Sequence, residues 1–212
     1  MLDPDLVVIA SGPGPDVRLP AVAHVVAADG GLDRARALGL EVDVVVGDLD
    51  SVSTAALAAA EAAGARIVRH PAAKDATDLE LALDEAVALG AHRVLVVASA
   101  EGRLDHLLGS LLLLGSERYS ALELDAHVGG TLVHVVRGER DLRGAAGGLV
   151  SLLPLGGPAR GVRTEGLEYP LRGETLEPGS TRGVSNVFTG PEARVSLTGG
   201  VLLAIRPEEA AL

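Results

Sequence analysis

The chain has 212 residues, 48% of them hydrophobic, so it can bury a substantial core, and this composition excludes a disordered chain. Its formal net charge is −11, which argues against general nucleic-acid binding because that function needs a basic surface. It contains no cysteine, which excludes disulfides, thiolate metal sites and thiol nucleophiles and fits a reducing cytosol.

Nothing in the sequence predicts a membrane-spanning or secreted protein. The first residues, Met1–Asp5, are acidic where a signal peptide would be basic, and no apolar run is long enough to cross a bilayer. The most apolar stretch, Leu107–Leu114, is short and is interrupted by Gly109 and Ser110. We therefore expect a cytoplasmic protein that binds neither membranes nor nucleic acid.

The first part of the chain alternates strand and helix patterns. Five Val- and Ala-rich runs are apolar on both faces, which suits the strands of a parallel sheet covered on both sides. These runs are Leu6–Ala10, Val22–Ala27, Val42–Val46, Ala65–Val68 and Arg93–Ala98. Helical patterns follow the second to fifth runs, at Leu32–Leu38, Thr54–Ala63, Leu79–Val87 and about Leu104–Leu114.

The pattern changes after Ala126, where helical stretches end and Gly, Thr, Val and Pro dominate. Short alternating runs predict strands at Thr131–Val136, Leu149–Leu153, Arg160–Thr164, Ala193–Leu197 and Val201–Ile205. The sequence therefore predicts an α/β fold with two domains. Residues 1–126 would form a Rossmann-like parallel-sheet nucleotide domain, and residues 127–212 would form an all-β sandwich.

Four polar segments follow the predicted strands of the first domain. They are Ala28–Gly31, Gly47–Ser51, Lys74–Glu80 and Gly102–His106. Ligands of open α/β sheets bind where the ends of successive strands meet, so we expect the carboxylates of these segments to share one crevice. A crevice this acidic needs a divalent cation before it can hold an anion, and hard oxygen ligands point to Mg²⁺.

Asp48 and Asp50 are the first candidate metal ligands. They stand two residues apart at the end of a predicted strand, so both carboxylates face the same side. Two oxygen ligands on one side suit Mg²⁺ held together with phosphate oxygens and water. The short Asp-x-Asp motif also occurs in ordinary turns and in unrelated phosphatases and glycosyltransferases, so by itself it leaves the function open.

The third polar segment combines a helix start with charged side chains. Thr77 and Glu80 form a capping box, which is a structural role. Asp78 can still reach a metal from the first helical turn, whereas Asp75 suits either a cap or a ligand. Lys74 is the only lysine of a chain that otherwise uses arginine, and we interpret it as a compact charge retained for function rather than as a lysine kept by chance at a solvated helix start.

The other two segments supply candidates for anion binding. Arg103 suits bidentate phosphate binding. Asp105 either accepts a hydrogen bond from the substrate or pairs with Arg103, while His106 suits a phosphate contact, a proton carrier or a packed polar residue. Asp29-Gly30-Gly31 predicts a tight strand-to-helix turn whose backbone N–H groups can face a phosphate or a ribose.

Taken together, these motifs resemble the thiamine pyrophosphokinase (thiamine diphosphokinase) family. The family pattern contains Asp-Gly-Gly, Gly-Asp-x-Asp-Ser, Lys/Gln-Asp-x-Thr-Asp-x-x-x-Ala, Gly-Gly-Arg-x-Asp-His and Gly-x-Ser-Asn, in that order. The matching positions are Asp29–Gly31, Gly47–Ser51, Lys74–Ala82, Gly102–His106 and Gly183–Asn186. The resemblance extends over nearly the whole chain, and the combination is far more specific than any single motif.

The resemblance implies the reaction ATP + thiamine → AMP + thiamine diphosphate. It also implies an α/β nucleotide domain followed by a β-sandwich, assembled as a homodimer with thiamine sites between subunits. Under this interpretation Asp48, Asp50 and Asp78 hold Mg²⁺, and Lys74 and Arg103 add fixed positive charge.

The remaining motif positions are expected to bind substrate, with Ser185 and Asn186 hydrogen-bonded to thiamine. The full set of expected substrate- and nucleotide-binding residues is Asp29, Gly30, Gly31, Ser51, Asp75, Thr77, Asp105, His106, Ser185 and Asn186. Two positions depart from the family pattern. Glu101 replaces the first Gly of Gly-Gly-Arg, and Tyr169 is the nearest candidate for the aromatic residue that often packs on the thiamine pyrimidine.

Three other functions stay open at this point. A diphosphokinase acting on 6-hydroxymethylpterin would use the same metal chemistry, although Gly183–Asn186 favours thiamine. A phosphatase with Asp48 as nucleophile and Asp50 as acid would leave Asp29, Arg103 and the β domain without roles. A non-catalytic nucleotide or thiamine sensor would not require so many metal ligands.

Overall fold

A computed structural model describes residues 4–10, 12, 19 and 22–207 of the chain. The first three residues of the acidic start and the last five residues of the chain therefore lie outside the described part. The described chain divides into two compact units. One unit contains residues 4–113 and 121–129, and the other contains residues 114–120 and 130–207.

The first unit is built on a parallel sheet of six strands. Hydrogen-bonded neighbours follow the order β6-β5-β1-β2-β3-β4, and every neighbouring pair is parallel. The strands are β1 (Leu6–Ile9), β2 (His24–Ala28), β3 (Val44–Gly47), β4 (Arg66–Arg69), β5 (Arg93–Ala98) and β6 (Glu123–Val128). Val, Ile and Ala fill the central strands, and β1 and β3 are buried along their whole length, as expected for a sheet covered on both faces.

Helices connect the strands of this unit. They are α1 (Gly31–Ala37), α2 (Thr54–Ala62), α3 (Asp78–Ala88) and α4 (Leu104–Leu114). The Ser53 hydroxyl caps α2 by accepting from the Ala56 N–H, and the Thr77 hydroxyl caps α3 by accepting from the Glu80 N–H. Such caps satisfy donors that the first helical turn leaves free, which explains why the helices begin at these residues.

The strand order reverses between two central strands of the sheet. From β1 the chain proceeds outward through β2, β3 and β4, and it then returns to place β5 and β6 on the other side of β1. Ligands of open α/β sheets bind outside the carboxyl ends of the strands at such a reversal. In this unit the reversal lies between β1 and β5.

All five strands predicted for this part of the chain are present, and α1–α4 follow β2–β5 as predicted. The sixth strand, β6, was not predicted. Its apolar run is interrupted by Asp125 and His127, which are both buried.

The second unit contains two antiparallel sheets, with the strand orders β12-β9-β14-β7 and β11-β10-β13-β8. The strands are β7 (Thr131–Val136), β8 (Glu139–Arg143), β9 (Leu149–Pro154), β10 (Ala159–Glu165), β11 (Arg172–Leu176), β12 (Asn186–Val187), β13 (Glu192–Ser196) and β14 (Leu202–Pro207). A single hydrophobic core takes side chains from both sheets, including Leu152 of β9 and Val162 of β10, and it encloses Phe188.

The five strands predicted for this unit correspond to β7, β9, β10, β13 and β14. The predictions missed β8, β11 and β12. In β8 only Leu142 is buried, and in β11 only Leu176 is buried. Neither strand therefore shows a clear alternating apolar pattern. No helix among residues 22–207 is long and apolar enough to cross a membrane.

Candidate active site

Asp29 follows β2 and is held in a conformation that side chains other than glycine rarely adopt. Its φ angle is +47°, and its side chain is 7% exposed. One carboxylate oxygen accepts a hydrogen bond from the Ser51 hydroxyl. The other oxygen, Oδ1, is buried and has no hydrogen-bond partner among the described residues. A buried carboxylate oxygen without a partner is costly, so this oxygen points to a ligand that completes the site.

Glycine at position 31 lets α1 start directly against β1. A Cβ atom at this position would lie 2.0 Å from the carbonyl oxygen of Ile9, so no larger residue fits. The Asp29-Gly30-Gly31 turn is therefore fixed by the close approach of helix and strand.

The loop after β3 brings a second pair of carboxylates to the same place. Gly47 has a φ angle of +148°, and a Cβ atom there would lie 2.9 Å from Asp78 Oδ1 and 3.0 Å from Asp29 Cβ. Leu49, between the two aspartates, has a φ angle of +64°. Strained backbone of this kind persists where the surrounding structure holds it, and it is concentrated at functional sites.

Asp29, Asp48 and Asp50 form one acidic group, in which one carboxylate oxygen of each residue lies within 4.8 Å of the others. The charge of Asp48, together with burial and the charge of Asp29, raises the pKa of Asp50 above its ordinary value. Mutual repulsion of this kind makes the group a favourable place for a cation. The hard oxygen donors and the free Oδ1 of Asp29 fit a divalent ion such as Mg²⁺.

Lys74 connects this acidic group to Asp78. Its Nζ atom lies 3.2 Å from Asp48 Oδ2 and 2.8 Å from Asp78 Oδ1, and its side chain is 12% exposed. Burial alone would lower the pKa of Lys74, but hydrogen bonds to Asp78 and Asp48 raise it above its ordinary value. The hydrogen bond from Lys74 is also the main reason that the pKa of Asp48 is lowered. Lys74 therefore remains a cation in this site.

Asp78 stands next to the acidic group at the first position of α3, whose cap is Thr77. Thr77 accepts the Glu80 N–H at 3.2 Å, as the capping-box interpretation expects. Asp75 is exposed at the surface.

Arg103, Asp105 and His106 lie at the exposed start of α4. Arg103 donates two hydrogen bonds to Asp105, Nε to Oδ1 at 3.1 Å and Nη2 to Oδ2 at 2.5 Å. These hydrogen bonds lower the pKa of the Asp105 carboxyl. Of the two alternatives for Asp105, the structure has it paired with Arg103, and a phosphate would have to compete with Asp105 for that guanidinium.

Gly183–Asn186, the segment predicted to bind thiamine, includes a tight turn of the second unit. A Cβ atom on Gly183 would lie 2.1 Å from the Leu152 carbonyl oxygen, so the turn lies directly against β9. Ser185 is exposed, has a φ angle of +57°, and donates its backbone N–H to the Ser151 hydroxyl at 3.1 Å. The strained backbone presents the Ser185 hydroxyl at the surface.

Asn186, in contrast, is 4% exposed and is engaged with the main chain. Its Oδ1 accepts from the N–H groups of Tyr169 and Val187, at 3.0 and 2.9 Å, and its Nδ2 donates to the Tyr169 carbonyl at 2.8 Å. An asparagine amide offers two acceptor sites and two donors, so one N–H remains for any further partner. Sequence reasoning did not foresee this clamp on Tyr169, whose side chain is exposed.

Comparison with known proteins supports the sequence resemblance over both units. The family described as thiamin pyrophosphokinase, catalytic domain, matches residues 19–124. The family described as thiamin pyrophosphokinase, vitamin B1 binding domain, matches residues 133–202. The thiamine pyrophosphokinase of Bacillus subtilis strain 168 is 27% identical over 188 residues, which cover 83% of this chain and 85% of that protein.

Solved structures show the same fold. The thiamin pyrophosphokinase of Geobacillus thermodenitrificans is 25% identical, with a TM-score of 0.80 over 97% of this chain and 98% of the other. The Bacillus subtilis enzyme structure is 24% identical, with a TM-score of 0.83 over 96% and 99% of the two chains. These matches do not favour the pterin and sensor alternatives. Because the catalytic-domain family alone matches half of the 212 residues, the chain belongs to the thiamin pyrophosphokinase family.

Proposed function

We propose that the chain transfers the diphosphate group of ATP to the hydroxyl of thiamine, giving thiamine diphosphate and AMP. As a member of its family it is an ATP-dependent diphosphotransferase. One observation carries the assignment of the site: Asp29, Asp48 and Asp50 converge beside the Lys74–Asp78 pair within the region that matches the catalytic domain. This arrangement suits an anionic substrate that arrives with a divalent cation.

We propose Mg²⁺ as the cation, with Asp48, Asp50 and Asp78 as ligands. The buried Oδ1 of Asp29, which has no hydrogen-bond partner among the described residues, supports Asp29 as a further ligand. When bound, the ion would neutralise charge on the phosphates and polarise them toward attack. The strained backbone at Asp29 and Leu49 fixes the carboxylates of this site before the ion binds.

The protein's own cations complete the charge stabilisation. Lys74 stays protonated and supplies a fixed positive charge beside the transferred group, while Arg103 binds a phosphate in place of Asp105. The thiamine hydroxyl attacks the β-phosphorus and AMP leaves, so no covalent enzyme intermediate is needed. Positioning and charge stabilisation supply the catalysis. Further nucleotide contacts are proposed for Gly30, Gly31, Ser51, Asp75, Thr77, Asp105 and His106.

For thiamine we propose the surface formed by Ser185, Asn186 and the exposed ring of Tyr169. The match of residues 133–202 to a vitamin B1 binding domain supports this location. Ser185 offers a hydroxyl, and Asn186 has one N–H left while it fixes the main chain of Tyr169. Residues 127–212 would then be the thiamine-binding β-sandwich, and residues 1–126 a Rossmann-like domain that binds ATP and Mg²⁺.

We further propose that the chain works as a homodimer in the cytoplasm. Helix α4 supports the dimer, because Leu104, Leu108 and Leu112 recur every four residues on it and are all exposed. A continuous apolar stripe of this kind commonly marks an interface. An ATP-dependent reaction and a chain without cysteine suit the cytoplasm.

Phosphorus NMR on a mixture of protein, ATP and Mg²⁺ tests the assignment when either thiamine or 6-hydroxymethylpterin is added. We expect AMP and thiamine diphosphate to accumulate with thiamine and no reaction with the pterin. Reaction with the pterin alone would contradict thiamine as the substrate. Release of inorganic phosphate would instead indicate a phosphatase, and unchanged ATP would indicate a binding protein.

A further inference from the structure

A buried arginine in the catalytic region has no role in the site described above. Arg34 lies on α1, and both terminal nitrogens of its guanidinium are buried. Among the residues that the structure describes, none accepts a hydrogen bond from either nitrogen. Burial lowers the pKa of Arg34, and no carboxylate among the described residues counteracts that shift.

An unpaired buried guanidinium destabilises a folded protein. Buried charges are normally paired, and removing the partner of one is strongly destabilising. Arginine side chains often pack an apolar stem and keep the charged head in water, but here the head itself is covered. Since native proteins leave few such groups unsatisfied, this one calls for a partner other than the residues that the structure describes.

The position of Arg34 indicates where that partner binds. Gly31, one helical turn earlier, contacts the carboxyl end of β1 at the Ile9 carbonyl. Side chains on a helix lean toward its N-terminus, so the Arg34 guanidinium extends toward the same end of the sheet. On the other side of β1, a Cβ atom on Gly12 would lie 2.9 Å from the Ser99 side chain, which follows β5. The helix that carries Arg34 therefore starts beside β1, one of the two strands at the strand-order reversal.

We propose that Arg34 binds the α-phosphate of ATP, the phosphate that leaves with AMP; this inference rests on the proposed function. The acidic group follows β2 and β3, Lys74 follows β4, and together they would hold the diphosphate end of the nucleotide with the metal. The rest of the nucleotide then extends across β1 toward the reversal, where ligands of such sheets bind. The planar guanidinium, with four free N–H donors on its terminal nitrogens, matches phosphate oxygens bidentately.

The covered position of the guanidinium is compatible with this role. Arg34 as a residue is partly exposed although its terminal nitrogens are buried, and its side chain has several rotatable bonds, so the head can turn toward an incoming phosphate. When the guanidinium turns, its terminal nitrogens lose no hydrogen bond to a described residue. Binding a phosphate therefore adds hydrogen bonds without breaking any of these.

The test compares Arg34→Gln with Arg36→Gln, a matched control on the exposed side of the same helix. Competition against ATP measures the affinities for AMP and adenosine, and steady-state kinetics measures the thiamine KM. Arg34→Gln should weaken ATP and AMP binding about 10- to 100-fold, the range expected for lost charge-assisted hydrogen bonds, and leave adenosine and thiamine unchanged. Arg36→Gln should change none of these values.

Thermal unfolding of the ligand-free proteins separates binding from a structural role. Arg34→Gln should unfold at the same temperature as the unsubstituted protein or higher, because it removes a buried uncompensated charge. A lower unfolding temperature or failure to fold would overturn the proposal, and so would equal losses of AMP and adenosine affinity. If the unsubstituted protein makes thiamine diphosphate while Arg34→Gln binds AMP normally, this inference fails and the proposed function stands.

Discussion

Substitution of Asn186 by alanine should both destabilise the second unit and weaken thiamine binding. The side chain is 4% exposed and makes three hydrogen bonds, two of them to Tyr169 main-chain atoms and one to the Val187 N–H. At about 1 kcal/mol net for each hydrogen bond, their loss lowers the free energy of unfolding by about 3 kcal/mol. For a chain of this length that corresponds to a fall in Tm of roughly 6–12 °C.

The kinetic effect follows from the movement of Tyr169. Once its main chain is released, the exposed ring no longer has a fixed position, so the thiamine KM should rise several-fold while kcat falls much less. Ser185→Ala is the matched control, since Ser185 is exposed and its substitution should leave Tm nearly unchanged while also raising the thiamine KM. Differential scanning calorimetry and steady-state kinetics provide both readouts. An unchanged Tm in Asn186→Ala would refute the clamp, and an unchanged thiamine KM would remove this segment from the site.

Further predictions concern the acidic group and the assembly. Asp48→Asn and Asp50→Asn should each lower kcat by about 10²- to 10³-fold at saturating Mg²⁺ with the fold intact by circular dichroism; near-normal turnover would refute the metal assignment. Because folding raises the pKa of Asp50, its charge destabilises the folded protein at neutral pH, and this penalty disappears as the pH falls through that raised pKa. Metal-free Asp50→Asn should therefore have the higher Tm at pH 7 and lose that advantage in acid, whereas a lower Tm at pH 7 would contradict the repulsion. Light scattering should give twice the chain mass, and Leu108→Lys should yield monomer; a monomer without substitution would argue against the dimer.

Much of the fold followed from residue patterns that reflect burial on both faces. Runs such as Val42–Val46 predicted their strands because central strands of a covered parallel sheet exclude polar residues. The same criterion missed β6, where Asp125 and His127 are buried within the strand, and β8, where charged residues surround Leu142. In these strands, backbone pairing and tertiary burial outweigh local pattern.

The candidate site was predictable as a set of residue types and less so as a set of contacts. Strand-end reasoning brought the aspartates of successive segments to one edge, and the structure has Asp29, Asp48 and Asp50 in one group. Sequence could not reveal that Lys74 pairs with both Asp48 and Asp78, because that contact joins separate loops. Nor could it reveal the positive φ angle at Leu49, since no local preference favours that conformation for leucine.

The fate of the β-phosphorus of ATP distinguishes transfer of the diphosphate group to thiamine from other reactions of ATP. ATP labelled at that position is mixed with thiamine, Mg²⁺ and either the unsubstituted protein or Asp50→Asn, and labelled products are separated over time. We expect the label to enter thiamine diphosphate with one AMP formed for each, and we expect Asp50→Asn to slow this transfer by at least about 10²-fold. Label recovered in ADP or in inorganic phosphate, or equal rates for the two proteins, would contradict these expectations.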